Sequence, residues 1–150
     1  IDVETAVALS QIPNVVGLKD SSNNPVQYQR LIRRFKGTSF TYLAGTNALM
    51  TYFLMLGGDG VIDGLHNLAP GRAVALYNAA RAGNWAEVDR LQIKLDRLAA
   101  IAEYGEVWGG AEAGLRILGL CDKITARPYI TIENEREIEE IRAILNEVLS

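Results

Sequence analysis

The sequence predicts an α/β fold built on a parallel sheet, and three observations predict it. The stretch Asn14-Val15-Val16-Gly17-Leu18 is nearly all apolar and runs straight into Lys19-Asp20-Ser21-Ser22. A strand covered on both faces need not alternate polar and apolar residues, so this stretch reads as a buried parallel strand. Strand-like segments then alternate with segments of helical period, in the order strand, helix, strand, helix, strand, helix. Cap, glycine and proline signals fall at the junctions between them.

Taken in order, residues 1–12 read as the tail of a helix with Val3, Ala6, Val7 and Ser10 on one face. Starting at Ile1 with no strand before it, the chain reads as a piece of something longer. After the Lys19 strand, Asn24 is placed to cap a helix with Pro25 at its first position. Tyr28, Leu31, Ile32 and Phe35 form the apolar stripe of that helix, and Gly37 ends it. Residues 40–45 are the second strand, after which Thr46 or Asn47 is placed to cap a helix carrying Leu49, Tyr52, Phe53 and Leu56. Gly57-Gly58-Asp59-Gly60 breaks that helix, and residues 60–64 read as a third short strand. From Ala69-Pro70-Gly71 onward the pattern is helical.

One helix carries Ala73, Leu76, Tyr77 and Ala80; a longer one over residues 85–102 carries Val88, Leu91, Leu95, Leu98 and Ala102. A loop over residues 105–110 leads to a helix with Ala111, Leu115 and Leu118, ended by Gly119. Residues 127–132 read as extended, and Glu133 or Asn134 opens a last helix with Ile138, Ile141, Leu145 and Val148 inward. Three parallel strands alone leave two open edges, so further strands are expected elsewhere. Closing a barrel takes about eight such units. The expectation is therefore the last three βα units of a (β/α)8 TIM barrel over residues 1–83, then a helical C-terminal extension over residues 84–150.

Composition excludes several classes. With 49% hydrophobic and 22% charged residues and a net charge of -3, the 150 residues match an ordinary globular chain with no basic face for nucleic acid. Apolar runs stop short of membrane-spanning length. One cysteine, Cys121, and one histidine, His66, exclude an internal disulfide and leave no Cys/His metal cluster, so neither metal nor cofactor is expected. With no basic-then-apolar leader, a cytoplasmic location is expected.

Lys19 sits at the carboxyl end of a buried strand, the edge where βα proteins bind ligands. Two readings stand. The lysine is an ion-pair member or a cation that escapes to solvent, or else its ammonium is partly desolvated and yields a free amine able to attack a ketone. The sequence itself leaves both open.

The blocks Ile12-Pro13-Asn14-Val15-Val16-Gly17-Leu18-Lys19-Asp20-Ser21-Ser22, Leu43-Ala44-Gly45-Thr46-Asn47, Gly57-Gly58-Asp59-Gly60-Val61-Ile62 and Asn67-Leu68-Ala69-Pro70 resemble the dihydrodipicolinate synthase and N-acetylneuraminate lyase family of pyruvate-dependent class I aldolases. The resemblance covers essentially the whole chain but only the C-terminal half of a family member. It implies a (β/α)8 barrel followed by C-terminal helices, with Lys19 as the catalytic lysine that forms a Schiff base with pyruvate or a 2-keto acid. It implies main-chain contacts to the keto acid at Gly45 and Ile62, and glycine at 45 suits a close approach. Asn47 and Asp63 stand where the aldehyde partner would be met. Sialic-acid lyases carry acidic residues at the positions of Asn47 and Ala48, a departure that weighs against that substrate. Asp63 and His66 differ from the small residues common in lysine-pathway members: Asp63 reads equally as a substrate contact or a cap, and His66 as a structural histidine.

The family's glycine-threonine-threonine loop and its proton-relay tyrosine belong to the N-terminal half, and neither motif occurs here. Tyr28, Tyr42, Tyr52, Tyr77, Tyr104 and Tyr129 do not match that tyrosine's motif. The expectation is a lyase that condenses pyruvate with an aldehyde, completed by the N-terminal half of the barrel in the same or a separate chain and assembled as a homo-oligomer, which in the family is a tetramer of dimers. A 2-keto-3-deoxy sugar acid aldolase is the alternative within the class, and a non-catalytic half barrel the alternative outside it. A phosphate cradle at Gly57–Gly60 ranks low, because that stretch precedes its strand rather than following it.

Overall fold

The computed structural model describes residues 1–122 and 131–150. The extended segment expected over residues 127–132 falls largely outside them; within it Ile132 is buried. By internal packing the chain divides into two compact units, one of residues 1–63 and 77–88, the other of residues 64–76 and 89–150.

The first unit holds the sheet. Its strands β1 (Gly17–Asp20), β2 (Thr41–Ala44) and β3 (Gly60–Val61) are parallel and lie in chain order. Each strand is shorter than its apolar run suggests: Val16 is 73% exposed, and β1 begins after it. Before the sheet comes α1 (Val3–Leu9). It is a helix with its own start rather than the tail of one, because the Asp2 carboxylate accepts the Thr5 N–H at 2.7 Å and satisfies a first-turn donor.

Helix α2 (Pro25–Phe35) follows its sequence signals closely. Asn24 Oδ1 accepts the N–H groups of Val26 and Gln27, both at 3.1 Å, and Pro25 stands at the first helical position. Tyr28, Leu31, Ile32 and Phe35 are all buried. Gly37 has a φ of +77°, a left-handed turn that a side chain would resist. Helix α3 (Met50–Met55) starts later than expected. Leu49 is its N-cap with no side-chain hydrogen bond, so neither Thr46 nor Asn47 performs that role. The aromatic rings of Tyr28, Tyr42 and Phe53 meet between the helices and one face of the sheet, with centroids 5.1 to 6.3 Å apart.

Beyond β3 the chain is helical among the described residues: a 3₁₀ turn (Gly64–Asn67), α4 (Pro70–Arg81), α5 (Trp85–Ala99), a second 3₁₀ turn (Ala100–Glu103), α6 (Glu106–Ile117) and α7 (Glu135–Leu149). Val88, Leu91, Leu95 and Leu98 on α5 are buried within this chain, so the stripe is core. The helix expected to reach Ala102 tightens into the 3₁₀ turn at Ala100.

The loop expected over residues 105–110 is instead the first turn of α6. Its glycines serve close packing rather than a break: a Cβ on Gly110 would run into the Ile101 carbonyl, and one on Gly114 would lie 2.9 Å from the Leu68 side chain. Asn134 caps α7, accepting from Arg136 N–H at 3.0 Å, and Ile141, Leu145 and Val148 are buried as their spacing predicts.

Candidate functional site

The carboxyl edge of the sheet is where the sequence-predicted residues gather. Lys19 pairs with Leu43, and Leu43 with Gly60, so these three register partners share one face. Two positions further along, Ser21, Gly45 and Ile62 lie on the same face, and the Ile62 N–H donates to the Ala44 carbonyl at 2.9 Å. Lys19, Gly45 and Ile62 are thus brought together on one strand edge by backbone register alone. Ile62 is 51% exposed.

Lys19 is exposed as well. The buried strand and the desolvated ammonium expected from the sequence are therefore not what the described residues provide. Helices α2 and α3 cover one face of the sheet, and Lys19 points from the other.

Gly45 is required by the lysine itself. A Cβ built there would lie 2.7 Å from Lys19 Cε and would collide with the Ser21 hydroxyl. The stem of Lys19 and the Ser21 side chain therefore cross the main chain where a side chain at 45 would stand. The sequence reading explained this glycine by ligand approach; the structure adds that it seats the lysine.

Asn47 and Asp63 are also brought together. Asp63 Oδ2 accepts the Asn47 N–H at 2.8 Å, tying the loop after β2 to the end of β3. Asn47 is buried, 4% exposed, and Asp63 half-buried. Of the two readings the sequence left for Asp63, the geometry supplies the cap-like one. His66, on the first 3₁₀ turn, belongs to the second unit and is half-buried.

Sequence reasoning missed Asp20 and Tyr42. Asp20 follows Lys19 directly, so the strand pleat points it to the opposite face, where it is 7% exposed. Its carboxylate accepts from the Tyr42 hydroxyl at 2.6 Å, from Gln27 Nε2 at 2.8 Å and from the Ser22 N–H at 2.8 Å. Burial by itself raises a carboxyl pKa; here the hydrogen bonds from Tyr42, Gln27 and Ser22 outweigh burial and hold it below the ordinary value. Burial, followed by the bond to this carboxylate, pushes Tyr42 well above the ordinary phenol range. Tyr28 is raised too, first by burial and then by the Asp20 charge. The available signal was an acidic residue at a position that strand alternation assigns to the helix-covered face. Tyr129 lies outside the described residues.

Among the described residues no group of three His, Cys, Asp or Glu side chains is arranged to hold a metal ion, and no helix is long and apolar enough to cross a membrane.

Comparison with known proteins gives these features a setting. The model of the dihydrodipicolinate synthetase family matches residues 1–148. A 4-hydroxy-tetrahydrodipicolinate synthase from Phenylobacterium zucineum is 32% identical over 149 residues, 98% of this chain and 49% of that protein. The structure of dihydrodipicolinate synthase from Bacteroides thetaiotaomicron superposes with a TM-score of 0.82 at 33% identity, covering 92% of this chain and 48% of that one. The enzyme from Acinetobacter baumannii, solved in complex with pyruvate, superposes with a TM-score of 0.85 at 26% identity over 98% of this chain and 50% of that one. The chain spans about half the length of these relatives.

Proposed function

This chain belongs to the dihydrodipicolinate synthetase family, and on that premise we propose that it carries the imine-forming half of a pyruvate-dependent lyase. Residues 1–83 supply the last three βα units of a (β/α)8 barrel, residues 84–150 the helical extension, and an N-terminal half barrel in the same or a separate chain completes the site. The Lys19 amine adds to the keto carbon of pyruvate or another 2-keto acid. Water leaves, and the protonated imine draws electron density from the neighbouring carbon. Loss of a proton from that carbon gives an enamine, which attacks the carbonyl of an aldehyde; hydrolysis then frees the product and Lys19.

The observation that carries this reading is the alignment of Lys19, Gly45 and Ile62 on one face at the carboxyl edge of three parallel strands. The exposure of Lys19 fits a barrel interior awaiting its other wall. Main-chain groups at Gly45 and Ile62 lie beside the lysine, available to the keto acid. The engagement of Asp63 with the Asn47 amide favours condensation over cleavage of a polyhydroxylated acid, because that carboxylate oxygen already has a donor. Assembly as a homo-oligomer and action in the cytoplasm, within lysine biosynthesis, belong to the same proposal.

The test is pyruvate trapping. The protein at its natural length is incubated with pyruvate, reduced with borohydride and weighed intact, beside Lys19→Arg. A reduced adduct that maps to Lys19 and is absent from the arginine variant is the expected result, since a guanidinium offers no free amine. Equal adduct in both would overturn the assignment. No adduct in either would favour a half barrel that does no chemistry.

A further inference from the structure

Asp20 is an expensive residue to place where it stands. Taking a carboxylate out of water costs several kcal/mol, and an apolar side chain would fill the helix-covered face without that penalty. Hydrogen bonds to a charged acceptor return about 1.5–3 kcal/mol each, so three donors roughly balance the burial. Balance explains why the charge is tolerated, not why it is there.

The geometry points to an answer in the neighbouring residue. We propose that Asp20 is a positioning residue for Lys19, acting together with Tyr42. Five donors converge on this one residue: Tyr42, Gln27 and the Ser22 N–H on its carboxylate, and the Gly45 N–H at 2.7 Å and the Tyr28 hydroxyl at 3.1 Å on its carbonyl. They come from β2, α2, the turn after β1 and the residue following β2. Asp20 thereby holds the end of β1 against both neighbours at once, and fixes the peptide units that join Lys19 to Ser21.

The bond from Gly45 is the decisive one. It sets how far the Gly45 main chain stands from β1, and that gap is the space crossed by Lys19 Cε and the Ser21 side chain. Loosening the carboxylate lets the turn and the glycine shift, and the lysine stem loses its seat. Misplacing a nucleophile by about 1 Å can cost about a hundredfold in rate, so a small slackening is enough to be measured.

This inference rests on the reading of Lys19 as the imine-forming amine. It is tested by comparing Tyr42→Phe, Asp20→Asn and the double variant with the unaltered protein at natural length, well below its melting temperature. The readouts are the rate of borohydride-trapped pyruvate adduct at saturating pyruvate, the pyruvate concentration for half-maximal rate, and the melting temperature. Tyr42→Phe keeps the ring that packs 5.4 Å from Phe53 and removes only the hydroxyl donor. The expected result is an adduct rate lowered about tenfold, a half-maximal concentration within about twofold, and a double variant no slower than its slower parent. Variants that melt earlier yet trap pyruvate at the unaltered rate would overturn the positioning role and leave the imine intact. Absence of adduct from the unaltered protein would overturn the imine reading and this one with it.

Discussion

The two faces of the β1–β3 sheet are built from alternate residues of the same short strands, yet they have opposite environments. On one face Asp20, Tyr42 and Ala44 are buried beneath α2 and α3, and every polar atom named there has a partner. On the other, Lys19, Thr41 and Ile62 are exposed and Leu43 is half-buried. Lys19 and Asp20 are adjacent in the chain and opposite in charge, but they do not pair. The pleat sends one to the packed side and one to the open side. The difference teaches that chemistry on the open face depends on rigidity supplied by the packed one.

The comparison breaks most severely at Asp20. Asp20→Ala leaves the Tyr42 hydroxyl, Gln27 amide and Ser22 N–H without their shared acceptor, and is expected to cost about 3 kcal/mol, read from the urea midpoint of unfolding. A loss below about 0.5 kcal/mol would mean that water replaces the carboxylate and that the packed face is less closed than its burial implies.

Gly45→Val attacks the open face. The new side chain would occupy the space of Lys19 Cε and the Ser21 side chain, both of which can swing toward solvent. Pyruvate trapping is therefore expected to fall at least about tenfold while stability falls by about 1 kcal/mol. Trapping that declined only in step with unfolding would remove Gly45 from the site.

Acid titration sharpens the contrast with the smallest effect. The folded carboxyl of Asp20 titrates below its unfolded value. Its contribution to stability is thus present in full above the unfolded value, about 4, and is lost as pH falls from there through the folded one. Asp20→Asn is expected to flatten the stability curve in that window and to leave it unchanged near neutrality in slope. A curve for the variant as steep as that of the unaltered protein would assign the acid sensitivity to other carboxylates, such as Asp2, which is also lowered, by its bonds to Thr5.

Much of this was legible in the residues, and the reasons are local. The Asn24-Pro25 start, the Tyr28-Leu31-Ile32-Phe35 stripe and the Gly37 stop are all read from neighbours a few positions apart, so α2 came through intact. Lys19 at a strand's carboxyl end followed from one apolar run meeting one turn. Misreadings arose where distant residues decide. Gly105 and Gly110 look like loop residues, but Ile101 packs so closely that glycine is what lets α6 begin. Thr46 and Asn47 look like caps, but the Asn47 N–H is taken by Asp63, sixteen residues on. Gly45 carries no clue in the sequence that its missing Cβ is where the lysine passes.

By itself the sequence determined the order of parallel βα units, the family and the position of Lys19, because cap, period and apolar run are properties of short stretches of chain. Only the tertiary structure decided that Lys19 is exposed, that Asp20 beside it is buried and bound by five donors, and that Gly45 seats the lysine. Those facts depend on which strands and helices meet, and the meeting is set by packing between residues far apart in the chain.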